Sequence, residues 1–138
     1  MAASFAEYAE ALSTRLGTDL EPFEDVLWVR INGRQDLSMS TDEDGTLIRI
    51  STPLAIAHDG LPAETLAPLL EKNVPNEDTA GAMIRRRPNS DSLELINVLP
   101  KTARTPEDMA WLAECQAHCA IKLQDDLDQA IEKHLAGE

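Results

Sequence analysis

VLWVRINGRQDLSMS, residues Val26 to Ser40, reads as a single hairpin. VLWVRI (26–31) is β-branched and aromatic, and LSMS (37–40) alternates apolar with polar. Between them Asn32-Gly33 is the residue pair that most readily accepts the left-handed backbone of a tight hairpin turn. The acidic stretch TDEDG (41–45) turns the chain again into TLIRIS (46–51). Three strands joined by two short turns make an antiparallel meander, and Pro53 is expected to end it.

Upstream, Ser4 and Glu7 have the spacing of a capping box. Phe5, Tyr8, Ala9, Leu12 and Leu16 then share one helical stripe, and Gly17 supplies the stop, predicting a helix over 4–16. Downstream, Pro62 suits a first helical turn, and Leu66, Leu69 and Leu70 line a short helix ending near Asn73. AMIRR (82–86) and LELINVL (93–99) are two further strands around the turn PNSDS (88–92). Thr105-Pro106-Glu107-Asp108 combines a capping hydroxyl, a first-position proline and two acids at the positive end of the dipole. Met109, Leu112, Cys119, Leu123, Leu127, Ala130, Ile131 and Leu135 continue it as one long helix. The order α-β-β-β-α-β-β-α over residues 1–138 predicts one α+β domain, a twisted antiparallel sheet with helices packed on one face.

A net charge of −13 on 138 residues repels phosphate backbones and anionic membrane surfaces, which argues against a nucleic-acid partner. The start MAASFAEYAE lacks a basic n-region. The longest stretch free of Asp, Glu, Lys and Arg runs only from Ile50 to His58, far short of the ~20 residues of a membrane span. A cytoplasmic chain with reduced thiols and no membrane insertion is the expectation.

Enzyme signatures are missing. The sequence has no G-x-S-x-G elbow, no phosphate cradle and no H-E-x-x-H, so no catalytic residue, metal or cofactor is assigned. CQAHC (115–119) sets two thiols on one helix face, a turn apart, with His118 between them in angle. That geometry is poor for a disulfide, and a structural zinc site needs a fourth ligand. The run is expected to be a buried packing strip. STDEDG (40–45) imitates a calcium loop, but Ser40 and Ser51 stand where the first and last ligands belong, leaving an acidic turn. In IRRRP (84–88), Arg85 and Arg87 share a strand face opposite Arg86. They serve either as a charged strand end that deters edge pairing or as partners for acids, on another chain or on this one.

The strands carry apolar residues on both faces. Leu27, Val29 and Ile31 oppose Val26 and Trp28; Leu47 opposes Ile48 and Ile50; Leu93, Leu95 and Leu99 oppose Ile96 and Val98. A sheet covered on one side should alternate cleanly. The excess predicts a second face buried by another chain, a sister subunit, a client or both.

Taken together, FAEYAEALSTRLG (5–17), DGTLIRISTPL (44–54), LAPLLEKN (66–73), GAMI (81–84) and LELINVLP (93–100) resemble the class I type III secretion chaperones of the Tir-chaperone-like family. The resemblance spans about residues 4–135 and departs at the polar connection PKTARTPED (100–108). It implies a homodimer without ATPase activity, its interface carrying Leu66, Leu69, Leu70, Ile96 and Val98. It also implies that a secreted effector's N-terminal segment lies extended over the first helix and first three strands, at Val26, Trp28, Met39, Ile48 and Ile50. The competing reading is a small acidic immunity or inhibitor protein that masks a folded toxin or enzyme, its charge steering it to a basic partner.

Overall fold

The computed structural model describes residues 4–42, 44–57, 81–87 and 92–136. Helix α1 (Phe5–Leu16) leads into strands β1 (Val26–Ile31), β2 (Gln35–Thr41) and β3 (Leu47–Ala57). Strands β4 (Met83–Arg86) and β5 (Ser92–Pro100) follow, then a 3-10 turn (Lys101–Ala103) and helix α2 (Pro106–Ala136). The helix expected over 62–73, with Leu66, Leu69 and Leu70, lies outside the described residues.

Local chemistry sets the helix ends. Ser4 and Glu7 form the capping box: the Glu7 N–H donates to Ser4 Oγ and the Ser4 N–H to Glu7 Oε2. Gly17 ends α1 at φ 66°, letting Gly17 N–H reach Thr14 O and Thr18 N–H reach Ser13 O, a closure that a β-carbon would strain. At α2, Thr105 Oγ1 accepts from the Asp108 N–H at 3.1 Å, with Pro106 in the first turn.

The sheet is antiparallel throughout, in the order β1-β2-β3-β5-β4. The β1–β2 turn has Asn32 at φ 54° and Gly33 at φ 69°, with Arg34 N–H on Ile31 O. Ile31 pairs with Gln35, so Arg34 is left out of the ladder, and its guanidinium meets Asp125 of α2 at 2.7 Å. In the next turn the Asp42 carboxylate accepts from Thr46 N–H, Leu47 N–H and Thr46 Oγ1. The calcium-like loop is thus an aspartate-closed turn, as its missing end ligands implied.

Pro53 does not end the meander: β3 runs on to Ala57. The pairing with β2 stops at Ser51, so beyond it that side of β3 carries no ladder among the described residues. Gln35, in β2, donates its side-chain N–H to Pro53 O at 2.7 Å, which shows that Pro53 turns its backbone toward that side. The missing N–H therefore falls where no strand among the described residues needs it, the edge-like position in which a strand tolerates proline.

Both helices cover one face. Phe5, Tyr8, Ala9 and Leu12 of α1 pack with Leu27, Leu37, Met39, Ile48 and Ile50 and with Met109, Leu112 and Ala113 of α2. Burying each large side chain contributes roughly 1.5–3 kcal/mol. Farther along α2, Ala120, Leu123 and Leu127 close a second cluster with Leu54, Ile84, Leu93 and Leu95. The 31 residues of α2 span about 46 Å, long enough to serve both clusters. Tyr8 ties α1 down by donating its hydroxyl to Lys101 O at 2.8 Å. Burial, and after it the nearby Glu7 charge, pushes the Tyr8 phenol above its ordinary value of 10.0.

Candidate partner-binding surface

On the face away from the helices, strand register lines up the rows. Trp28 lies beside Ser38, then Ser51, Ile96 and Met83; Val26 lies beside Ser40, Arg49 and Val98. Serines and an arginine fill the middle strands, so apolar surface gathers at the two ends. At the β1 end stand Trp28, 59% exposed, half-buried Val26, and Phe23, 76% exposed. At the β4–β5 end, Met83 and Val98 are about half exposed while Ile96 is buried.

This corrects the expected client-contacting set. Val26 and Trp28 are on the open face, but Met39, Ile48 and Ile50 are fully buried beneath the helices. Register is the reason: Met39 pairs with Ile50 and Thr41 with Ile48, so all three point to the helix side. On β2 and β3 the open face alternates out as Ser38, Ser40, Arg49 and Ser51, and Leu47 is the apolar residue of β3 placed there ahead of Pro53. Of the expected dimer residues, Val98 is exposed on this face and Ile96 is buried on it.

The edge of β1 has a definite geometry. Val26 turns its N–H and C=O away from β2 and exchanges both with Phe23, at 3.0 and 2.8 Å. Backbone groups alternate sides along a strand, so Trp28 and Arg30 direct theirs to the same edge. Among the described residues no strand pairs with β1 there. The Phe23–Val26 bridge is isolated, one rung closed by Glu24 at φ 50° and Asp25 at φ 59°. Left-handed backbone at non-glycine residues costs about 1–2 kcal/mol each, and two main-chain hydrogen bonds return about 0.5–1.5 kcal/mol each. The rung is close to balance.

At the opposite edge a buried carboxylate holds β4 to its neighbours. Glu94 Oε1 accepts from Arg85 Nε at 2.7 Å, and its Oε2 accepts from Ser51 Oγ and lies 3.9 Å from Arg87 Nε. Arg85 and Arg87 thus pair with an acid of this chain, while Arg86 is exposed.

The CQAHC strip is built differently from the expectation. Cys115 and Cys119 are half-buried and form no disulfide, and His118 is exposed. The side chain that enters the core is Gln116. Its Nε2 donates to Ile50 O, Leu95 O and Thr52 Oγ1, and its Oε1 accepts from Asn97 Nδ2. One signal was readable: Gln116 occupies the i+3, i+4 register between Leu112 and Ala120, where an apolar residue belongs. Among the described residues, no cluster of three His, Cys, Asp or Glu side chains could hold a metal, and no helix is long and apolar enough to cross a membrane.

No protein-family model matches the sequence, and no curated protein does. Solved structures do match. The type III secretion chaperone SycH of Yersinia pestis, in complex with a stable fragment of YscM2, aligns at TM-score 0.66 and 16% identity, over 87% of this chain and 99% of that one. The heterodimeric ExoU–SpcU complex from the type III secretion system of Pseudomonas aeruginosa aligns at TM-score 0.67 and 17% identity, over 88% and 98%. The HopA1–SchA chaperone–effector complex aligns at TM-score 0.66 and 12% identity, over 91% and 93%. The chain has the fold of type III secretion chaperones.

Proposed function

We propose that this chain is a type III secretion chaperone: it binds the N-terminal segment of a secreted effector in extended form and keeps it soluble for export. The observation that carries the reading is the β1 edge, where Trp28 and Arg30 present backbone donors and acceptors beside the apolar side chains of Val26 and Trp28. An extended peptide added there gains main-chain hydrogen bonds, while alternate side chains meet an apolar surface. The likeness to chaperones solved with their partners supports it. Binding of this kind needs no bond made or broken, so the chain acts without catalysis and without ATP, in the cytoplasm where the client is made. The other apolar end, with Val98, Met83 and Ile96, is the face on which a second copy docks to give a homodimer.

Co-expression with candidate secreted proteins, followed by affinity capture, tests the reading. An N-terminal client segment should co-purify and lose solubility when this chain is left out. If none co-purifies and no client's solubility or secretion depends on the chain, the reading fails.

A further inference from the structure

We infer that Phe23 is a built-in placeholder for one residue of the client strand, displaced when the client docks. The inference rests on reading the β1 edge as the client's edge. Phe23 already makes the contact that an added strand would make: it is antiparallel to β1 and exchanges both backbone hydrogen bonds with Val26. Its side chain falls on the same face as Val26 and Trp28, as the partner of a hydrogen-bonded pair must. The mimicry stops after one rung, because no pairing of Glu21 with Trp28 follows.

Among the described residues the rung has two backbone hydrogen bonds and no second pair beside it. Its turn sets Glu24 and Asp25 in left-handed backbone conformations, neither of them glycine or asparagine, and Phe23 is 76% exposed. A client strand entering at Trp28 and Arg30 and extending antiparallel to β1 reaches Val26 next, where it meets Phe23. The placeholder shields the first rung from stray strands and sets a requirement on the client: an apolar or aromatic residue opposite Val26, followed by alternate residues opposite Trp28 and Arg30.

The test uses the full-length chain and, as probe, the client segment that co-purifies with it. In Glu24→Asn/Asp25→Gly the turn acquires the pair its backbone favours, the rung closes more often, and affinity for the segment falls about fivefold as the binding-competent fraction shrinks. Phe23→Pro removes the N–H that closes the rung, and affinity rises. In the wild-type complex the Phe23 amide exchanges faster than in the unbound chain while the Trp28 and Arg30 amides slow. Equal affinity of the turn variant and wild type, or weaker binding by Phe23→Pro, overturns the placeholder and leaves the chaperone reading standing. A chain with which no client segment co-purifies overturns both.

Discussion

Asn97 of β5 donates its side-chain N–H to Gln116 Oε1 of α2 at 2.8 Å, and both residues are buried. Through this pair and the bonds from Gln116 to Ile50 O and Leu95 O, α2 is pinned across the β3–β5 ladder where the two apolar clusters meet. Gln116→Leu leaves the Asn97 amide buried without this acceptor, and should destabilise the fold by about 2–4 kcal/mol. Adding Asn97→Leu should recover part of that loss, because the Asn97 amide is then no longer orphaned, while Ile50 O, Leu95 O and Thr52 Oγ1 still lack the Gln116 donor. Urea denaturation with an unchanged m-value checks both, and Cys115→Ser should stay within about 1 kcal/mol in the same assay.

Trp28 and Ile50 separate surface from core. Trp28→Ala removes an exposed ring and should shift stability by less than about 1 kcal/mol while sharply reducing client capture. Ile50→Ala empties a fully buried site and should cost about 2–5 kcal/mol. Thermal melts beside co-purification yields distinguish them.

Asp42 gives the fold a pH dependence of known sign. Hydrogen bonds from the backbone, that of Leu47 first, hold its carboxyl below the ordinary 3.8, against a smaller opposing effect of burial. A folded value below the unfolded one contributes stability that is present above pH 3.8 and lost as pH falls through the folded value. Asp42→Asn should flatten that part of the stability profile below pH 4, measured by urea midpoints at stepped pH, and leave the neutral-to-alkaline limb unchanged.

Val98 tests the second apolar end. Light scattering coupled to gel filtration should return about twice the 15.2 kDa chain mass for the wild type. Val98→Asp, which buries a charge only in the dimer, should return the single-chain mass with a normal circular dichroism spectrum. A wild-type monomer at micromolar concentration would sink the homodimer.

The sequence made most of the fold legible wherever short-range chemistry decides the outcome. Asn32-Gly33, the Ser4–Glu7 box and Thr105-Pro106 each fix their geometry within a few residues, and each fell where the pattern placed it. Pro53 misled because its tolerance depends on where β2 stops pairing, a fact held in another strand. The client surface was half legible for the same kind of reason. Trp28 alternates visibly with Leu27, but assigning Met39, Ile48 and Ile50 to a face requires the register between strands. Phe23 escaped because its role comes from a single backbone rung closed by Glu24-Asp25, which lacks the glycine or asparagine of the strongest hairpin turns.

Backbone hydrogen exchange on the chaperone–client complex, read on both chains, is the most direct test of the central claim. The account predicts slowed exchange at the Trp28 and Arg30 amides, together with a client segment protected at alternate amides and otherwise without compact structure. A client that stays folded and protease-resistant, bound with no change at the β1 edge, would contradict it and favour an acidic inhibitor of a folded partner.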